Sequence, residues 1–187
     1  MRFVDTRRRG LPWVWGATDD EAAAAYACDG LADDGAVRLV RAVSVAAPPA
    51  TCFLWLCQLR RAPYSYDLID NFGRRSPRVA DPSLVELEAG QTFMTIFVLT
   101  AFVPGRSVTL RMKPGWPTGA FGDIALTYEV VPQGTGARLI AAMWAPPIGR
   151  VLPRPRRWLL AWGDVLMMRK QLTVLAELAA RGPSRAG

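Results

Sequence analysis

The hydrophobic positions of this chain change period along its length, and the change predicts both strands and helices. Residues 39–46, LVRAVSVA, contain three valines and are followed by Pro48 and Pro49, which is typical of a strand that stops at a corner. Residues 50–59 have the i, i+3, i+4, i+7 spacing of a short apolar helix, which Pro49 is suited to begin. The stripe of this helix comprises Cys52, Trp55, Leu56 and Leu59.

Later hydrophobic segments, separated by glycine- and proline-containing turns, predict an antiparallel series of strands. The predicted strands are Leu84–Leu87, Thr92–Val103, Ser107–Met112, Asp123–Val131 and Ala137–Trp144. The last two are joined by the residues PQGTG, a hairpin signal, whereas the Gly- and Pro-rich segment 113–122 is expected to be a loop. Near the N-terminus, Thr18 and Glu21 fit a capping box that begins a helix extending to about Cys28.

The final hydrophobic segment predicts one long helix over 156–181, ended by Gly182-Pro183. Its predicted apolar stripe contains Trp158, Trp162, Val165, Met168, Leu172, Leu175 and Ala179, and Asp164, Arg169, Lys170 and Glu177 are placed off it. One wide apolar face after a run of strands predicts an α+β fold in which the helix lies across the sheet. A basic amphipathic helix on a membrane surface is the less favoured alternative, because the apolar face is needed to close the core.

Composition indicates one folded domain, which we place at 15–182 with an arm at 1–14 and a tail at 183–187. Apolar residues make up 51% and charged residues 21% of the chain, as in ordinary globular proteins. The net charge is +7, but the arginines are dispersed and accompany no nucleic-acid-binding module, so we expect no nucleic-acid partner. Charged residues interrupt the apolar runs well short of about 18 residues, so no transmembrane segment is predicted.

The chain contains no histidine, which excludes Ser-His-Asp and Cys-His nucleophiles and histidine-ligated metals. The three cysteines lack CxxC spacing and are odd in number, so we expect buried free thiols, a cytoplasmic location and no metal site. The first residues carry no apolar run of the kind found in secretory signals. No glycine-rich phosphate loop is present, and we predict no cofactor.

Several short motifs, taken in order, resemble one protein family. They are WGATDDE at 15–21, RAVSVAAPPATCFLWLCQL at 41–59, YSYDLIDN at 64–71, LVELEAGQTF at 84–93 and LTYEVVPQGTGARLIAAM at 126–143. Together they resemble bacterial members of the SRPBCC superfamily, also called START-like, polyketide cyclase/dehydrase-like or Bet v 1-like proteins. The resemblance covers roughly residues 13–181. It implies a helix-grip fold, in which a curved antiparallel sheet with short helices after its first strand wraps around a long C-terminal helix and encloses a cavity for an apolar ligand.

Alternation along the predicted strands indicates which side chains face that cavity. Leu126, Tyr128 and Val130 form the more apolar face of their strand, and Leu139, Ala141 and Met143 match them on the next. Both faces of the segment 92–103 are apolar, so alternation does not distinguish its inward residues. The predicted ligand-binding residues are Tyr64, Asn71, Phe97, Leu99, Trp116, Leu126, Tyr128, Leu139, Met143, Trp162, Val165 and Met168.

The polar candidates for chemistry are Tyr66 and Asp67, which the resemblance places at the cavity mouth. A buried carboxyl group with a raised pKa beside a tyrosine is suited to acid–base catalysis. The alternative is structural: Asp67 caps its helix and the tyrosine is a packing residue. We favour this structural role over catalysis. Relatives often carry a glycine-rich aromatic loop before this segment, where this chain has Arg60-Arg61-Ala62-Pro63, so no substrate is carried over.

Three hypotheses for the function follow from these observations. The first is a protein that binds a small apolar or aromatic molecule in the cavity between sheet and helix. The second is a cyclase or dehydratase that acts on a polyketide-like substrate through Tyr66 and Asp67. The third is an interaction protein that docks a protein partner or an anionic membrane through its basic surface. We favour the first, and the sequence leaves open whether a reaction is catalysed.

Overall fold

The framework is a seven-stranded sheet with one long helix packed across it. The computed structural model describes residues 10–65, 76–146 and 153–182, with side chains in the last segment described from residue 158. The strands are β1 (Val14–Trp15), β2 (Val37–Val45), β3 (Thr92–Phe93), β4 (Phe97–Val103), β5 (Ser107–Met112), β6 (Ala125–Gln133) and β7 (Gly136–Ala145). The helices are α1 (Asp19–Ala23), α2 (Pro49–Cys57), α3 (Trp116–Phe121) and α4 (Pro153–Ala180), and 3₁₀ turns occupy Ala27–Leu31, Gln58–Arg60 and Pro82–Val85.

The strand order is β1-β2-β7-β6-β5-β4-β3, and every neighbouring pair is antiparallel except β1 with β2. The first long strand therefore pairs with the last, from Val37 opposite Ala145 to Val45 opposite Ala137. This pairing brings the two ends of the domain together and leaves α4 lying across β2 and against α2. The predicted α+β helix-grip architecture, a curved sheet around a C-terminal helix, is confirmed.

The corner after β2 forms as the sequence predicts. Pro49 is the first residue of α2, where its missing N–H group loses no helical hydrogen bond. The predicted stripe is fully buried beneath the sheet and α4: Cys52, Trp55, Leu56 and Leu59 are all at most 2% exposed. The hairpin between β6 and β7 is also confirmed, with Gln133 opposite Gly136 and Gly134 at a φ of 56°, the left-handed conformation that such turns require.

Two predicted strands are wrong, for different reasons. The segment 92–103 breaks into β3 and β4 because Met94 and Thr95 adopt φ angles of 45° and 66°, which no strand accommodates. Its uniform hydrophobicity gave no sign of this interruption. Residues 84–87 are not a strand, since a 3₁₀ turn begins at Pro82, where the Asp81 side chain accepts a hydrogen bond from the backbone of Ser83.

Two predicted non-strand segments also differ from the structure. The segment 113–122 contains the short helix α3, because Pro117 lies in its first turn, where proline is favoured. The helix capped by Thr18 ends at Ala23, and a 3₁₀ turn at Ala27–Leu31 replaces its predicted second half. The side chain of Asp29 accepts a hydrogen bond from the backbone of Tyr26 and begins this separate turn.

Both faces of the sheet are covered, and the alternation predicted for β6 and β7 is confirmed. The inner core contains Leu126, Tyr128, Val130, Leu139, Ala141 and Met143 together with α2 and α4. A second, smaller core lies on the outer face, where the 3₁₀ turn at Ala27–Leu31 covers the strands. It contains Tyr26, Cys28, Val40, Ala42, Ala125, Ile140, Ala142 and Trp144.

An ion pair ties α1 to the outer face of the sheet. Thr18 and Glu21 form the predicted capping box, and Arg138 of β7 donates to both oxygens of Glu21, at 2.7 Å to Oε1 and 2.9 Å to Oε2. These bonds from Arg138 hold the pKa of Glu21 below its ordinary value of 4.5. A carboxyl group whose pKa is lowered by folding stabilises the native state above its unfolded-state pKa.

We therefore expect Glu21→Gln to reduce the free energy of unfolding by about 1 kcal/mol at pH 6. The difference from the parent should shrink as the pH falls below 4.5 and vanish once Glu21 is protonated in the folded state. Urea unfolding between pH 6 and pH 3 measures it. In an Arg138→Met background the same substitution should show little pH dependence, and a difference that persists unchanged at pH 3 would contradict this account.

Candidate functional site

A cavity of about 440 Å³ lies between the inner face of the sheet and α4. Its wall is predominantly apolar. The sheet contributes Leu39, Phe97, Met112, Leu126, Tyr128 and Met143, and α4 contributes Leu160, Ala161, Gly163, Asp164, Met167, Met168 and Gln171. The sheet also contributes Ala145, and α3 contributes Trp116 and Phe121. The remaining wall comes from connecting segments: Trp13, Pro63, Ser65, Met94, Thr95, Ile96, Ile124 and Pro146.

Strand register explains why the sheet side of the cavity is so uniformly apolar. Leu39 of β2 lies opposite Met143 of β7, and Met143 lies opposite Leu126 of β6. Residues directly opposite each other in a ladder point to the same face, so these three side chains form a continuous row. On the neighbouring strands Phe97 lies opposite Met112 and extends the wall toward α3.

The cavity opens between α3 and α4. Trp116 and Phe121 of α3 are 69% and 39% exposed although they line the cavity, and Leu160 and Met167 of α4 are also exposed. Leu39, Leu126 and Tyr128 are at most 2% exposed and form the closed end. A ligand would therefore enter past large apolar side chains and reach a wall set by the sheet.

The closed end contains a chain of hydrogen bonds in which the hydroxyl proton of Tyr128 is engaged. Tyr128 donates its hydroxyl hydrogen to Oε1 of Gln171, and Nε2 of Gln171 donates to the carbonyl oxygen of Pro63 at 2.6 Å. Burial raises the pKa of Tyr128 far above its ordinary value of 10, so this side chain is a neutral phenol at physiological pH. The chain joins the sheet, α4 and the segment that follows α2.

A charged pair forms another part of the wall. Nη2 of Arg41 donates to Oδ2 of Asp164 at 2.8 Å, which links β2 to α4. The Arg41 side chain is 1% exposed and that of Asp164 is 17% exposed. Burial raises the pKa of Asp164 and lowers that of Arg41, and the attraction between the two charges opposes both shifts.

Arg41 also holds the chain that precedes β1. Its Nη1 donates to the carbonyl oxygen of Trp13 at 2.6 Å, and its Nη2 donates to that of Pro12 at 2.7 Å. Ala141, the residue opposite Arg41 in the ladder, is small and leaves room for the guanidinium on the inner face. The result is that Trp13 becomes a wall residue of the cavity.

The structure places six of the predicted ligand-binding residues on the cavity wall: Phe97, Trp116, Leu126, Tyr128, Met143 and Met168. Leu99, Leu139 and Val165 are buried but do not line the cavity, and Trp162 is partly buried and does not line it either. Tyr64 is 1% exposed and packs edge-on against Trp55 at a centroid distance of 6.1 Å, whereas its neighbours Pro63 and Ser65 line the cavity. Tyr66, Asp67 and Asn71 lie outside the described residues.

Two predictions about the stripe of α4 are wrong. Asp164, placed off the stripe, lines the cavity, and Trp158, placed on it, is 53% exposed. A ranking of helix positions by hydrophobicity always assigns a carboxylate to the polar face, away from the core. The available signal was in β2, where Arg41 follows Leu39 by two residues and therefore shares its inward face. A buried guanidinium is stabilised by an acidic partner, which the element packed on that face can supply.

The cysteine thiols are not part of the cavity wall. The three cysteines are free and buried elsewhere, and burial raises the thiol pKa of Cys28 to about 11 and those of Cys52 and Cys57 to about 12. Such thiols are unreactive at neutral pH.

In residues 10–65, 76–146 and 153–182 no group of three or more acidic or cysteine side chains is placed to hold a metal ion. No helix in the described part of the chain is long and apolar enough to span a membrane.

Comparison with solved structures places this geometry among known folds. A solution NMR structure from Thermobifida fusca aligns with 77% of this chain and 93% of its own at 17% identity and a TM-score of 0.52. The crystal structure of Ara h 8.0201 aligns with 79% of this chain and 100% of its own at 10% identity and a TM-score of 0.50. The di-domain ARO/CYC StfQ from the steffimycin biosynthetic pathway aligns over 78% of this chain and 51% of its own, at 15% identity and a TM-score of 0.49.

No protein-family model matches the sequence, and no curated protein is significantly similar to it. At identities of 17% and 10%, the first two structural likenesses show a shared fold and do not transfer a ligand. The function therefore has to be argued from the cavity itself.

Proposed function

We propose that this chain, which has the helix-grip fold of the SRPBCC, or Bet v 1-like, superfamily, binds a small hydrophobic or aromatic molecule between its sheet and α4. The observation that carries the proposal is the cavity of about 440 Å³ with a predominantly apolar wall. Cavities of roughly 300–1,000 Å³ with a few polar groups are typical of small-molecule sites. A cavity of this size left unused would weaken the core, since lost packing costs free energy.

The character of the wall supports an apolar ligand of adaptable shape. Five methionines line the cavity: Met94, Met112, Met143, Met167 and Met168. Methionine is unbranched and polarizable, so a wall built from it adjusts to irregular ligands and makes favourable contacts with aromatic rings. Trp116 and Phe121 at the opening add flat apolar surfaces.

We propose binding without an assigned reaction. Among the described wall residues, Tyr128 is held as a neutral phenol that donates to Gln171, and Asp164 is paired with Arg41. The two side chains are engaged with Gln171 and Arg41 and not with each other, so they do not form the tyrosine–carboxyl pair that the hypothesis of a cyclase or dehydratase invokes. The enzymatic alternative therefore rests on Tyr66 and Asp67. We also propose a cytoplasmic location, because free buried thiols fit a reducing compartment.

The direct test uses native mass spectrometry of protein purified from its own host, in search of a retained small molecule. A second test uses N-phenyl-1-naphthylamine, whose fluorescence rises in an apolar environment. We expect saturable binding of one molecule per chain. Absence of both a retained molecule and saturable binding would contradict the proposed function.

Substitution Ala161→Trp is expected to lower the affinity for this probe at least about tenfold, which corresponds to roughly 1.4 kcal/mol. Ala161 is 4% exposed and lines the cavity from α4, so the indole would occupy ligand space. Fluorescence titration measures the change. The matched control is Ala180→Trp on the exposed face of the same helix, which should bind as the parent does. Equal loss in both variants would show that the effect does not come from filling the cavity.

A further inference from the structure

Asp164 presents an unused hydrogen-bond acceptor to the cavity. Its Oδ2 accepts a bond from Arg41, whereas its Oδ1 has no hydrogen-bond partner among the residues that the structure describes. Among the described residues, Oδ1 is not one of the buried side-chain atoms that lack a hydrogen-bond partner. An oxygen without a partner that is not fully buried retains solvent-accessible surface. Because the residue lines the cavity, that surface is available to a ligand.

The ion pair fixes the direction in which this acceptor points. Arg41 is 1% exposed and is itself held by the carbonyl oxygens of Pro12 and Trp13. With Oδ2 bound to a guanidinium that two carbonyl oxygens hold, the carboxylate has less freedom to rotate and Oδ1 is restricted in direction. An acceptor oriented before the ligand arrives loses little freedom on binding, which strengthens the hydrogen bond it makes.

We propose that Asp164 is a specificity-determining residue that selects, among apolar molecules of suitable shape, those carrying a hydroxyl or phenol group able to donate to Oδ1. This proposal rests on the proposed function, because it names the ligand class of the same cavity. A ligand without a donor leaves a desolvated carboxylate oxygen unpaired, and a site of that kind discriminates against such ligands.

The charge balance favours a neutral donor over a cation. Arg41 and Asp164 carry opposite charges at 2.8 Å, so this part of the wall has no net charge. A ligand ammonium group would lose its hydration on entering an apolar cavity and would face the positive Arg41 as well as Asp164. A hydroxyl group gains the same hydrogen bond at a much smaller cost of desolvation.

The test compares 2-naphthol with 2-methoxynaphthalene, which shares the ring but lacks the donor hydrogen. Isothermal titration calorimetry of the unaltered protein should show that 2-naphthol binds at least about tenfold more tightly than 2-methoxynaphthalene, although the ether is the more apolar molecule. Equal affinities, or a preference for the ether, would overturn the inference and leave the proposed function standing. If neither compound binds at concentrations up to its solubility limit, both this inference and the proposed function are overturned.

A substitution assigns the selectivity to Asp164. In Asp164→Asn the amide oxygen is expected to accept from Arg41, which turns the amide nitrogen, a donor, toward the cavity. The preference for 2-naphthol should then fall about tenfold or reverse, while the sum of apolar contacts is unchanged. A merely structural role would weaken both compounds alike, and that result would contradict the proposal.

The matched control removes a carboxylate from the same helix outside the cavity. Glu177 lies on α4 with a side chain that is 52% exposed, so Glu177→Gln should retain the full preference of the parent for 2-naphthol. Loss of the preference in this variant would assign the effect to overall charge and overturn the role of Asp164. The ligand pair on the unaltered protein keeps the proposal testable if Asp164→Asn folds poorly.

Discussion

Replacing Asp164 by leucine is expected to lower the free energy of unfolding by about 3 kcal/mol, at the lower end of the range for breaking a buried pair. The substitution leaves Arg41, 1% exposed, without its anionic partner. The lower end applies because the Asp164 side chain is 17% exposed and the pair is partly hydrated. Urea unfolding followed by tryptophan fluorescence measures the loss, and an unchanged slope with denaturant would show that the fold is retained.

The double variant Arg41→Met with Asp164→Leu distinguishes two contributions to this loss of stability. One is the cost of leaving the charge of Arg41 buried and unpaired, and the other is the net contribution of the ion pair itself. Replacing both members of a buried pair by apolar residues is often neutral, so the double variant should be more stable than Asp164→Leu alone. It should remain below the parent, because the carbonyl oxygens of Pro12 and Trp13 lose their donor. A double variant less stable than the single one would contradict the explanation.

Substitution Gly16→Ala is expected to cost about 3–4 kcal/mol, combining left-handed backbone strain with overpacking. Gly16 has a φ of 69°, and a Cβ atom there would lie 2.2 Å from the carbonyl oxygen of Ala42 in β2. Neither backbone can move away, because β1 is hydrogen-bonded to β2 immediately before this glycine. Thermal and urea unfolding measure the loss.

Gly105 supplies the matched control for that substitution. Its φ of 73° is nearly the same, but a Cβ atom there would meet nothing within 4 Å. Gly105→Ala should therefore cost only the backbone strain, about 1–2 kcal/mol. The difference between the two variants isolates the approach of β1 to β2. Equal losses would mean that the contact with Ala42 relaxes at no cost.

Local signals in the sequence were sufficient for most of the framework. The Pro48-Pro49 corner, the Gly134 turn and the capping box at Thr18 each depend on residues a few positions apart, and all three form as predicted. Alternation on β6 and β7 also succeeded, because one face of each strand is clearly more apolar. The order of these elements then left few ways to cover the sheet.

Predictions failed where the controlling contact is distant or where hydrophobicity is uniform. Thr92–Val103 is apolar on both faces, so the left-handed residues at Met94 and Thr95 had no signature in the pattern. The inward direction of Asp164 depends on Arg41, 123 residues earlier in the chain. The position of Trp13 on the cavity wall likewise depends on Arg41, which binds its carbonyl oxygen from 28 residues further along the chain.

The bonds of Arg41 have a further consequence for how the site can be dissected. One guanidinium orients the acceptor on α4 and also fastens the chain at Pro12 and Trp13 against the sheet. The orientation of the acceptor oxygen of Asp164 and the attachment of Pro12 and Trp13 to the sheet thus depend on the same side chain. A substitution of Arg41 therefore disturbs both together, whereas a substitution of Asp164 alters the acceptor and leaves the bonds from Arg41 to Pro12 and Trp13 available.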